Sequence, residues 1–76
     1  MNKVSIRIKL YDSADVTVSV YDMLGRLIFS DEQYCPPGLN DFIIPESWFN
    51  NQSGIYIYDV RLNGEKFLTG KMVKYQ

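Results

Sequence analysis

Acidic side chains, one thiol and six phenol rings are the groups of this chain that could do chemistry, and their spacing argues against catalysis. Asp31 and Glu32 are adjacent. Neighbours in an extended strand point to opposite faces, so this pair does not converge as an acid and a base. Cys35 is the sole cysteine and the chain contains no histidine. A nucleophilic thiol needs a nearby base, and a disulfide needs a second thiol. Cys35 precedes Pro36-Pro37-Gly38 and is expected in a loop. Asp12, Asp15 and Asp22 fall near strand ends. A calcium site needs about six to eight oxygens, and no close-spaced acidic loop supplies them, so turn capping is the better reading. No catalytic residue, metal site or cofactor is expected.

The tyrosines are Tyr11, Tyr21, Tyr34, Tyr56, Tyr58 and Tyr75. Exposed rings on a sheet can stack on sugars, as carbohydrate-binding modules do. Tyr56 and Tyr58 share one parity and are expected to fill the core, with hydroxyls reaching its rim. Tyr21, opposite in parity to Val18 and Val20, is the best candidate for an exposed ring.

The elements that would hold these groups are strands. Seventy-six residues allow one domain, near the lower size limit for an independent core. Hydrophobic residues make up 46%, enough to fold rather than stay disordered. The net charge of -1 offers nothing to nucleic acid or an anionic membrane. The longest apolar runs are far short of the roughly 20 residues that span a bilayer. Met1-Asn2-Lys3 runs straight into a strand pattern, so a strand rather than a signal peptide is expected there.

Val4, Ile6, Ile8 and Leu10 alternate with Ser5, Arg7 and Lys9, giving a half-buried strand. Tyr11 to Asp15 carries turn chemistry. Val16, Val18 and Val20 form a second strand. Asp22 can bond its own downstream backbone and Gly25 can close the turn, leading to a third strand from about Arg26 to Gln33. Pro36-Pro37-Gly38 breaks it, because proline cannot donate to a ladder. A fourth strand covers Leu39 to Ile44, with Phe42 and Ile44 inward. Pro45 to Phe49 reads as one helical turn, Trp48 or Phe49 capping an open end of the core. Ile55 to Leu62 is a fifth strand. Asn63-Gly64 is the strongest hairpin signal, and Glu65 to Tyr75 is the last strand. The expected fold is all-β, a small immunoglobulin-like antiparallel β-sandwich of six to seven strands.

Four blocks carry a family resemblance. Val18-x-Val20-Tyr21-Asp22-x-x-Gly25-Arg26-x-Ile28 is similar to the central hairpin of type IX secretion C-terminal sorting domains of Bacteroidetes. Gly38-Leu39-Asn40-x-Phe42, Gly54-Ile55-Tyr56-Ile57-Tyr58 and Thr69-Gly70-Lys71-Met72-Val73-Lys74 resemble three further blocks, in the family's order. The resemblance covers about residues 4 to 76. It departs from the family at its start: the usual Asn-Pro opening and a first strand are missing.

The resemblance implies a single C-terminal sorting domain over residues 1–76, excised from a larger secreted protein, with Met1 an added start. Its partners would be the outer-membrane translocon, a sortase-like peptidase and an upstream cargo domain, with no nucleic acid. It would carry the cargo through the periplasm to the cell surface and catalyse nothing itself. Translocon recognition is expected at Gly70, Lys71, Met72, Val73 and Lys74. Asp22, Gly25, Gly38, Gly54, Tyr56, Asn63 and Gly64 are expected to define the fold. The missing strand would leave a sheet edge open, and open edges pair with other chains, so an edge-strand homodimer is expected. Two other readings stay open. One is a carbohydrate-binding or adhesive sandwich appended to a secreted enzyme. The other resemblance is to the sandwich domain of flagellar hook-capping proteins, whose Trp-Asp-Gly is not matched by Trp48-Phe49-Asn50.

Overall fold

The computed structural model describes residues 4–45 and 54–74. Six strands run through them: β1 (Val4–Leu10), β2 (Ala14–Tyr21), β3 (Leu27–Cys35), β4 (Gly38–Ile44), β5 (Gly54–Leu62) and β6 (Glu65–Lys74). They form two antiparallel sheets. One is the pair β1-β4; the other has the order β3-β2-β5-β6. The helical turn expected over Pro45 to Phe49, with its capping Trp48 or Phe49, falls on residues outside this description.

Side-chain alternation decides the core. Ile6, Ile8 and Leu10 from β1 and Phe42 and Ile44 from β4 point inward. They meet Ala14, Val16, Val18, Val20, Cys35, Tyr56 and Val60 from the four-stranded sheet. Phe42, Ile44, Val16, Val18, Val20 and Val60 are fully buried. Each such side chain contributes roughly 1.5–3 kcal/mol relative to exposure. The result is a small β-sandwich whose wide sheet is only partly covered by its narrow one. Toward the inner margins of the wide sheet Phe29 on β3, and Leu68 and Met72 on β6, are half-buried and pack against the core.

Two irregularities shape the wide sheet. Between β2 and β3 the register slips after Val20, which pairs with Phe29, while Tyr21 pairs with Leu27. Ile28 is the extra residue, and it packs against the core beside Phe29. Between β5 and β6, Val60 pairs with Leu68 and Arg61 with Lys66. Phe67 is the extra residue there and is 48% exposed. A bulge of this kind re-aims a side chain and increases the local twist.

Two expectations change. Cys35 is not in a loop. It ends β3, opposite Ala14, and is buried. Its parity is inward, and the break comes at Pro36, one residue later. Burial, with the Asp31 charge as a lesser cause, pushes its thiol up from the ordinary value. Tyr21 is half-buried rather than the most exposed ring; Tyr11 at 85% and Tyr34 at 72% are far more open. Tyr21 lies within a row flanked by β3 and β5, whereas Tyr11 stands on a turn.

The strands alternate direction, so the sandwich has two poles. Val4, the β2–β3 turn, Ile44, Gly54 and Lys74 lie at one pole. The β1–β2 turn, Pro36-Pro37 and the Asn63-Gly64 hairpin lie at the other.

Candidate recognition strand

The expected recognition residues occupy the last half of β6, which among the described residues is an edge strand paired only with β5. Alternation splits them. Gly70, Met72 and Lys74 turn toward the sandwich, and Lys74 is buried. Lys71 and Val73 turn to solvent. The five therefore do not share one surface.

Across the outer face, Val73 pairs with Ile55 and Lys71 with Ile57. Ile57 pairs in turn with Tyr21. These side chains make a small apolar patch with a lysine at its margin. Val73 is 49% and Ile55 40% exposed, and the nearby turn adds Met23 and Leu24. A shallow groove of about 230 Å³ runs from that turn to Gly54, Ile55 and Tyr56. Ile55, Ile57 and Tyr21 were not singled out as site residues in the sequence. Their signal was there: β5 is apolar on both parities, which a one-sided strand does not need.

Gly70 sits opposite Tyr58, whose ring lies over it. A Cβ at this position would run into the ring atoms of Tyr58. An aromatic covering a strand glycine hides backbone that would otherwise be bare. Gly70→Ala is expected to cost about 1–3 kcal/mol, because the ring must swing off its site. In a Tyr58→Ala background the same change should be nearly neutral. Urea unfolding of the four proteins measures the difference, and equal costs in both backgrounds would remove the contact from the account.

The turns that set β6 in place are built locally. Asn63 and Gly64 have φ of 52° and 83°. That is the left-handed pair a two-residue hairpin requires. Asn63 also clasps β2: its N–H donates to the Asp15 carbonyl at 2.8 Å, and the Asp15 N–H donates to its Oδ1 at 3.0 Å. Gly25, Gly38 and Gly54 also take positive φ, and Tyr56 is buried in the core. At the other pole Asp22 organises the β2–β3 turn. Its Oδ1 accepts from the N–H of Leu24 and of Arg26, both at 2.9 Å. Its Oδ2 takes the Arg26 guanidinium at 2.8 Å.

The Arg26 N–H above all holds the Asp22 carboxyl below its usual value. The stabilisation from a depressed carboxylate is complete above its unfolded value, about 4, and is lost as pH falls through the depressed one. The turn is thus expected to loosen in acid. Protection of the Leu24 and Arg26 amides, relative to the intrinsic exchange rate at each pH, should fall below pH about 4 in the native protein, and an Asp22→Asn variant should lack that dependence.

Comparison with known families agrees with this architecture. The family model described as "Secretion system C-terminal sorting domain" matches residues 1–75, nearly the whole chain. The chain belongs to the type IX secretion C-terminal sorting domain family. No curated protein and no solved structure matches it. As a sorting domain it is a C-terminal signal for type IX secretion, and it engages that machinery on behalf of an upstream cargo. The destination is outside the cell.

Proposed function

We propose that this sorting domain is a non-catalytic, immunoglobulin-like address module of a Bacteroidetes protein. In this reading residues 1–76 form one C-terminal domain. The outer-membrane translocon reads it, a sortase-like peptidase then removes it, and the cargo is left on the cell surface. The observation that carries this reading is the edge position of β6. Among the described residues no second strand flanks it, and Lys71 and Val73 point outward there. A receptor strand can pair with such an edge, the backbone supplying affinity and alternate side chains supplying specificity. The buried thiol of Cys35, held protonated, favours a structural role for that residue over a nucleophilic one.

An edge-strand homodimer belongs to the same proposal, and the edges differ in their suitability for it. β3 carries Asp31 on the inward parity, opposite Val18, and β6 carries Lys66, Lys71 and Lys74. Charges of this kind discourage indiscriminate pairing. The narrow β1-β4 sheet, with Leu39 and Ile43 exposed on its outer face, is the better place for a second copy.

The test is export of a passenger. A fluorescent reporter with a Sec signal at its N-terminus and this chain at its C-terminus is made in a bacterium that has type IX machinery. The reporter is expected outside the outer membrane. Retention in the periplasm, as for the reporter alone, would defeat the proposal.

A further inference from the structure

The pole opposite Val4 and Lys74 carries a groove that the sorting role does not use. It measures about 300 Å³, at the low end of pockets that take small molecules. The β1–β2 turn and the start of the β5–β6 hairpin form its walls. Leu10, Ala14 and Leu62 supply apolar lining. Tyr11 and Phe67 are its two aromatic rings.

Both rings stand out of the core. Tyr11 is 85% exposed on a turn, where a polar residue would serve. The Lys9 ammonium lies 5.7 Å from its ring centre, close enough for a cation–π contact that orients it. Phe67 is the extra residue of the β5–β6 bulge, and its ring is left out of the core. Such bulges cluster beside functional sites because they re-aim single side chains.

The rim is polar and electrically balanced. Asp12 offers an acceptor and Ser13 a hydroxyl, and neither side chain has a hydrogen bond within the described residues. The Asn63 oxygen is occupied by the Asp15 N–H, which leaves its NH₂ to donate. Lys9 and Asp12 offset each other.

We propose that this groove binds one unit of a neutral saccharide. A pyranose presents a flat face of C–H groups to an aromatic ring and a circle of hydroxyls that both donate and accept. Two exposed rings with free acceptor, donor and hydroxyl groups around them match that chemistry. An anionic ligand would meet Asp12, and a wholly apolar one would leave the rim's polar groups unpaired. Whatever precedes Val4 attaches at the far pole, so a cargo does not block the groove.

The test is a titration of the ¹⁵N-labelled chain with cellotetraose, maltotetraose and chitotetraose, followed by amide shifts. At least one is expected to move Tyr11–Ala14 and Leu62–Phe67 and leave the β2–β3 turn still. Tyr11→Ala and Phe67→Ala, both at exposed positions, should each weaken binding by about tenfold or more without altering the rest of the spectrum. Asp12→Asn should weaken it less. No shift with any of the three sugars, shifts centred elsewhere, or full affinity in Tyr11→Ala would each overturn the assignment. So would binding of a proline-rich peptide at this groove in place of every sugar. Export of the reporter fusion should be unchanged in both aromatic variants, which separates this site from the sorting strand.

Discussion

A fusion that lacks Thr69–Gln76 is expected to stay in the periplasm. Losing most of β6 does two things. It removes the outward pair Lys71 and Val73, and it strips β5 of the strand that covers its flank. Met72 also leaves the margin of the core, and Tyr58 loses the backbone it lies on. Truncation alone therefore does not separate a missing signal from a missing fold. The Lys71→Glu, Val73→Asp pair does. Both positions face solvent, so stability should change by no more than about 0.5 kcal/mol per site. Export should nevertheless fall by roughly tenfold or more, because a reversed charge and a buried carboxylate oppose docking at the patch. Fractionation of periplasm and medium gives the readout. A double variant that folds and is exported at the normal level would show that the outward side chains of β6 are not read.

Phe42→Ala is expected to have the largest effect on stability, about 3–5 kcal/mol. Phe42 is 1% exposed and pairs across the narrow sheet with Ile6. It is the largest fully buried side chain among the described residues. Among the described residues two strands face a four-stranded sheet, so few neighbours can close over the space. Domains of this size have total stabilities toward the low end of about 5–15 kcal/mol, so the variant should be substantially unfolded near 37 °C. Leu39→Ala, on the same strand but 65% exposed, should shift the urea midpoint little. A Phe42→Ala loss below about 1 kcal/mol would mean that the core is not closed by this ring.

The strands were legible because each is a short run with a period of two. Val4 to Leu10 and Val16 to Val20 announce both their extent and their buried face. Asn63-Gly64 announced its hairpin, since few residue pairs suit that backbone. Partnership was less legible. Nothing in the spelling of β1 says that it pairs with β4, 34 residues on at Arg7 and Asp41. That choice depends on how two sheets share a core. Bulges were hidden for a related reason: an extra residue such as Phe67 looks like ordinary strand until its partner strand is known. The site was half visible. Lys71 and Val73 stood out through the family's terminal block, whereas Ile55, Ile57 and Tyr21 join them only through cross-strand register.

Six antiparallel strands are an even number, so the chain comes home to the side it left. Parcel and label thereby share a pole: a bulky fold joined directly ahead of Val4 would stand at the same end of the sandwich as the tip of β6. Clearance becomes a matter of tether length, and ten flexible residues give a span of roughly 17 Å. Shortening that leash should dim the signal without touching a single residue of the sandwich.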